Sequence, residues 1–126
     1  MIKRKNIIKI AIDSPAAAGA GTLAKALSRH YNLFYLDTGK IYRFIAFLKL
    51  YFPEKFNQKF IKKKIKDLKI QDLAKKILLS DKVGTEASII SKKKSIRKLV
   101  HSFQINFAYN PPKKYYGSCL DGRDIT

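Results

Sequence analysis

Apolar residues fall into three short runs and recur at helical spacing between them. Ile7 to Ile12 is a β-rich run before a set of small residues and reads as a buried strand. Ala16 to Gly21 reads as a loop. From Thr22 to Tyr31 the spacing is helical, with Leu23, Ala26 and Leu27 expected to face inward and Asn32 to stop the helix. Leu33 to Leu36 reads as a second strand, ending at Asp37, Thr38 and Gly39. Strand, small-residue loop, helix and strand make a βαβ unit, so the fold class is α/β with a parallel sheet.

Ile41 to Phe52 follows as an apolar helix ended by Pro53. Glu54 to Leu79 is lysine-rich, yet Phe56, Phe60, Ile61, Ile65, Leu68, Leu73 and Ile77 recur near helical spacing. It reads as one or two amphipathic helices with a solvated basic face. Ser80 to Ala108 is helical with a break near Lys92–Lys94, and Pro111 and Pro112 stop it. Tyr115 to Leu120 reads as a third strand, ending at Asp121, Gly122, Arg123 and Asp124. At 126 residues, without repeats or a long linker, one domain is expected. Its sheet core comes from 1–40 and 113–126, and a helical region spans 41–112. In open α/β sheets ligands sit at the carboxyl ends of strands, so the three strand ends should converge on one crevice.

Charge changes this picture little. The formal net charge is +18, which invites a polyanion as partner. All but five of the 27 basic residues are lysines, however, and they are scattered along the chain. That argues against nucleic acid as the main partner and suits small anions equally well. The arginines (Arg4, Arg29, Arg43, Arg97 and Arg123) say more, because a planar guanidinium grips phosphate or a base edge with two parallel hydrogen bonds. Cys119 is the only cysteine, which excludes an internal disulfide and suits a reducing compartment. His30 and His101 lack partners at metal-ligand spacing and read as surface or helix-end residues. Lys9 and Asp13 interrupt the first apolar run before it could act as a secretory signal. No apolar run approaches the ~20 residues that span a bilayer, so a cytoplasmic protein without membrane partners is expected.

The stretch IAIDSPAAAGAGTLAK is the first candidate for chemistry. A phosphate-binding loop works because backbone N–H groups wrap the anion at a helix N-terminus, where the dipole favours negative charge. Gly19 and Gly21, flanked by Ala17, Ala18 and Ala20, keep the small residues that such a cradle needs, and Thr22 can supply a hydroxyl. The strict pattern G-x-x-x-x-G-K-[ST] fails at both ends: Ser14 stands at the first glycine and Ala20 at the lysine. Read alone, the stretch fits a phosphate loop or a helix start packed closely on a strand. Asp37 to Gly39 alone fits a simple turn, and Asp121 to Asp124 a glycine turn with a surface ion pair.

IAIDSPAAAGAGTLAK, FYLDTGKIYR and CLDGRDI occur in this order with suitable gaps. As a set they resemble the bacterial cytidylate kinase family, whose motifs read approximately IDGPxxxGKGTLAK, LDTGxxYR and DGRDIGT. SDKVGTEAS and IRKLVHSFQINF resemble two further segments of that family. The resemblance implies a P-loop NTPase-type parallel sheet flanked by helices, with a helical insert that binds the phosphoryl acceptor. It implies ATP-dependent phosphorylation of CMP or dCMP, with Mg²⁺ accompanying the ATP. By the same resemblance, Ser14, Pro15, Ala16, Ala17, Ala18, Gly19, Ala20, Gly21 and Thr22 would hold the donor phosphates, with Thr22 near the magnesium. Asp37, Thr38, Arg43, Ser88, Arg97, Arg123 and Asp124 would bind the acceptor, and Arg43, Arg97 and Arg123 are the catalytic residues the resemblance implies, Arg43 and Arg97 positioning or neutralising the acceptor.

The departures from the family pattern carry expectations of their own. Without the lysine at position 20, charge stabilisation at the phosphates is weakened, and neither Lys25 nor Lys40 is expected to replace it. Ser14 brings a Cβ to a position where glycine is usual. No glycine follows Ile125. Members of the family continue past this point through further strands, a mobile lid bearing arginines and an adenine-contacting region. A truncated product, a fragment, or half of an assembly completed elsewhere is therefore expected, a monomer once completed and of doubtful activity by itself. Two other readings remain: a nucleotide-binding remnant without catalysis, and a basic nucleic-acid-binding protein using residues 54–79.

Overall fold

The computed structural model describes residues 7–13, 20–68, 72–73 and 75–122. Two compact units emerge, one from residues 1–39 with 101–126, the other from 40–100.

The first unit is a three-stranded parallel sheet in the order β1-β3-β2, where β1 is Ile8–Asp13, β2 Leu33–Asp37 and β3 Gly117–Gly122. The fold class is α/β, as the sequence pattern predicts. The two strands of the βαβ unit are not neighbours, because the last strand inserts between them. Ile10 and Tyr35 both register with Cys119. Every residue of β3 from Gly117 to Asp121 is buried, as a strand paired on both edges and covered on both faces must be.

Helix α1, Ala20–Tyr31, covers one face of this sheet. Its inward residues are Ala24, fully buried, and Ser28, whereas Leu23 is 53% exposed. This corrects the expected face of Leu23, Ala26 and Leu27, of which Ala26 is also exposed and Leu27 half-buried. Small side chains four residues apart let the helix backbone approach the sheet. The Ala24 carbonyl accepts from Ser28 Oγ at 2.7 Å, and Cys119 Sγ lies 3.7 Å from the same oxygen. Ile10, Ile12, Leu33 and Tyr35 close the core around Ala24 and Cys119. Asn32 ends the helix in the left-handed region, φ 53°, and its side chain donates to Lys114 O at 3.0 Å.

The far face is aromatic. Phe34 stacks on Phe107 and Tyr115, with centroids 4.9 and 5.1 Å apart, and Ser118 Oγ donates to Ala108 O. Phe107 and Ala108 belong to α5, Lys94–Tyr109. Between α5 and β3 a proline turn runs through Tyr115, whose N–H donates to Pro112 O. The third strand consequently begins two residues later than Tyr115, the start its β propensity suggests. At Gly117 a Cβ would lie 1.9 Å from Ile8 O, so the entry of β3 beside β1 requires glycine.

The second unit is helical. It contains α2, Gly39–Tyr51, from Lys40 onward, α3, Gln58–Lys66, a 3₁₀ turn at Lys76–Leu79, α4, Asp81–Ile90, and the first half of α5. Ile41, Ile45, Leu48, Ile61, Leu78, Val83, Ile90 and Val100 are among its buried residues. Asn57 caps α3 by accepting from Phe60 N–H, and Ser80 caps α4 by accepting from Val83 N–H. Among its described residues, the lysine-rich stretch holds the short α-helix Gln58–Lys66 and the 3₁₀ turn Lys76–Leu79. Ile77, one of the apolar residues at helical spacing, is 39% exposed, because the 3₁₀ turn buries Leu78 instead.

Candidate functional site

In the sheet unit, the carboxyl ends of all three strands lie side by side. Asp37 registers with Asp121, and Asp13 with Gly122. Helix α1 begins only seven residues beyond Asp13, at Ala20, and exposes Thr22 in its first turn. Of the loop that would hold donor phosphates, residues 14–19 fall outside the described residues, as do Arg123 and Asp124. What the structure gives is the set of ends from which both segments depart.

Thr38 is tied to the central strand. Its N–H donates to Asp121 O at 3.0 Å, and its hydroxyl donates to the same oxygen at 2.7 Å. The side chain is buried, 1% exposed, so Thr38 fixes the end of β2 and does not present its hydroxyl to a ligand. Asp37 Oδ1 accepts from Gly39 N–H at 3.0 Å, forming the turn that opens α2. Gly122 leaves the sheet at φ 147°, a conformation that a side chain would strain.

Asp121 was absent from the candidate residues above, yet it organises this corner. It is 5% exposed and its Oδ2 accepts from the Tyr35 hydroxyl at 2.8 Å. Burial raises its pKa and the neighbouring Asp37 adds to that, while the Tyr35 hydrogen bond and the Lys25 ammonium act the other way. Burial, reinforced by Asp121, pushes the Tyr35 phenol far up, so it stays a donor. The register could have signalled this pair: Tyr35 and Asp121 share the α1 face once β2 and β3 are neighbours, but the sequence alone leaves that adjacency open.

In the helical unit, two candidates meet at Gly84. Arg43 Nη1 donates to Leu78 O at 2.8 Å, and its guanidinium lies against Gly84, where a Cβ would come within 3.1 Å of both terminal nitrogens. Ser88 is exposed and donates weakly to Gly84 O at 3.3 Å. Arg97 is exposed on the first turn of α5. Lys49 and Glu86 join α2 to α4 with a 2.6 Å ion pair.

His30 and His101 are exposed, and no group of three metal-binding side chains occurs among the described residues. No described helix is long and apolar enough to cross a membrane.

A sequence model of the family described as cytidylate kinase matches residues 10–126. A cytidylate kinase of Bradyrhizobium diazoefficiens is 39% identical over 117 residues, covering 92% of this chain and 53% of that protein. One from Rhodopseudomonas palustris is 41% identical over 120 residues, and one from Bartonella tribocorum 42% over 117, with the same coverage of each chain. This chain therefore spans about half the length of the curated relatives it matches.

Proposed function

Because the chain belongs to the cytidylate kinase family, we propose that its two units are the nucleotide-binding parts of an enzyme that phosphorylates CMP or dCMP from ATP. The observation that carries this reading is the alignment of three strand ends, with residues 14–19 lying in sequence between β1 and α1 and Arg123 next in sequence after β3. An acceptor phosphate oxygen attacks the γ-phosphorus, the bond to the ADP oxygen breaks, and ADP and the cytidine diphosphate leave. Positioning and charge neutralisation carry such a transfer.

In this reading, the backbone of residues 14–21 cradles the ATP phosphates, at the positive end of α1. Magnesium takes oxygen ligands, and the exposed Thr22 hydroxyl in the first turn of α1 fits that preference. Bound with the nucleotide, the ion would neutralise charge between the donor phosphates. The acceptor falls to residues 40–112: Arg43 and Arg97 take its phosphate, while Ser88, Arg123 and Asp124 take its base and sugar. Asp37 joins Arg123 and Asp124 in selecting cytidine, and Thr38 fixes the end of β2 that carries Asp37. Arg43 would have to exchange its bond to Leu78 O for the ligand, or use its remaining donors.

Ala20 favours a second reading in which the chain binds nucleotide without turning it over. Losing one charge-stabilising donor costs on the order of 10²–10³ in rate. CMP calorimetry beside a coupled kinase assay, on this chain and on Ala20→Lys, separates the two. The kinase reading expects CMP binding in both proteins and turnover that rises ~10²-fold or more with the lysine. CMP binding without CDP formation in either would leave the binding-only reading. No binding of CMP or ATP would sink both.

A further inference from the structure

The chain uses lysine almost everywhere it needs a cation, and the kinase reading accounts for three of its arginines, Arg43, Arg97 and Arg123. Arg4 lies outside the described residues. Arg29 is left. It is exposed in the last turn of α1 and takes part in no hydrogen bond or ion pair among the described contacts. A cation is favourable at a helix C-terminus, but lysine serves there equally, so the end of α1 does not explain a guanidinium. Arg29 lines an open groove of about 620 Å³ in the sheet unit, with Lys25, Asn32, Phe34, Tyr35 and Tyr115. Phe34 and Tyr35 point to opposite faces of β2, so a groove lined by both wraps the edge of that strand, the one away from β3. Its wall is aromatic: Phe34 and Tyr115 stack with centroids 5.1 Å apart, and Lys25 Nζ lies 6.0 Å from the Tyr35 ring centroid. Lys25 and Arg29 stand four residues apart, on one face of α1. The Ser28 hydroxyl is taken by Ala24 O and the Asn32 amide by Lys114 O, which leaves the two cations as the charged donors facing the groove. No carboxylate lines it among the described residues.

We propose that this groove is a second ligand site, for a small molecule that carries an aromatic ring and a phosphate: the Arg29 fork and Lys25 hold the phosphate, and the ring lies against Tyr115 and Phe34. The site is distinct from the strand ends, because Asn32 to Tyr35 belong to the start of β2, whereas Asp37 and Thr38 close it. A volume of this order suits a small molecule. Two parallel hydrogen bonds to phosphate are what arginine adds over lysine. An apolar ligand would leave both cations unused, and inorganic phosphate would leave the aromatic wall unused.

The test titrates phenyl phosphate and AMP into the full chain and follows the backbone amides by NMR, with inorganic phosphate and phenol as comparators. At least one of the two probes is expected to shift Arg29, Asn32, Phe34 and Tyr115 together. Inorganic phosphate and phenol should each bind about tenfold more weakly than that probe, or worse. Arg29→Lys keeps the charge and the helix end but loses the fork, and it should raise the Kd of the probe about fivefold or more. The side chain is exposed, so this variant keeps the fold. Whichever probe loses affinity in Arg29→Lys identifies the source of the ligand, a ring joined directly to its phosphate or one carried by a nucleoside. An unchanged Kd in Arg29→Lys overturns the proposal. So does inorganic phosphate binding as tightly as the better probe, because a lysine-rich surface then suffices. Shifts confined to residues 20–22, 43, 88 and 97 overturn it as well, since they belong to the nucleotide site, and so does the absence of binding by both probes. None of these outcomes depends on whether the chain binds CMP, so the kinase reading stands or falls separately.

Discussion

Asp121 shows how one side chain can oppose the fold that holds it. Its native pKa lies above the reference value of 3.8, first because it is buried. The native state therefore binds the proton more tightly than the unfolded chain, and stability falls as pH rises between the unfolded and native values. Asp121→Asn removes that titration while keeping an acceptor for Tyr35. Urea unfolding is expected to find the variant equal to or more stable than the unsubstituted chain at pH 7, with the gain shrinking toward zero by about pH 4. A gain that grows as the solution is acidified would contradict the assignment. At this scale the sequence was partly legible. The aspartates at the strand ends stand out because acids rarely follow apolar runs without reason. The roles within the corner did not: Thr38 turned inward and Asp121 became the hub, since both depend on which strands are adjacent.

Elements were more readable than their faces. Outside the lysine-rich 54–79 stretch, each helix and strand could be placed within about two residues because breakers mark the ends: Asn32, Pro53, the Lys92–Lys94 break and the proline pair. The inward face of α1 was misread because hydrophobicity favours Leu23, whereas close packing on the sheet favours Ala24 and Ser28. Asn32 is the point where this helix is held. A non-glycine residue in the left-handed region costs roughly 1–2 kcal/mol unless its side chain compensates, as asparagine can. Asn32→Ala is expected to lower stability by about 1–2 kcal/mol. Asn32→Gly should recover the backbone part and forfeit only the bond to Lys114 O, about 1 kcal/mol. Chemical denaturation of the three proteins checks the order; a glycine variant less stable than the alanine one would refute it.

For the whole molecule, the charge of +18 sets up a competition between a nucleotide site and diffuse polyanion attraction. The two respond differently to salt. Binding through many lysines to duplex DNA weakens with a log–log slope near −0.9 per phosphate contacted. Arg123→Ala is expected to abolish CMP binding, with at least a tenfold rise in Kd, while any polynucleotide affinity changes by less than about twofold. Equal losses for both ligands would mean that the basic surface as a whole does the binding.

The central strand is also, among the described residues, the last of the three in sequence. Among the described residues, β1 and β2 each pair only with β3, so Ile8 waits for Gly117 before its backbone finds a partner. On a ribosome, then, these three strands cannot pair until residue 117 and those after it have emerged, several seconds after β1 at ordinary elongation rates. The helices of 40–100, whose partners described above lie within that span, have that interval to themselves. A nascent chain arrested before residue 117 should expose its first forty residues to protease while the segment after them is already guarded.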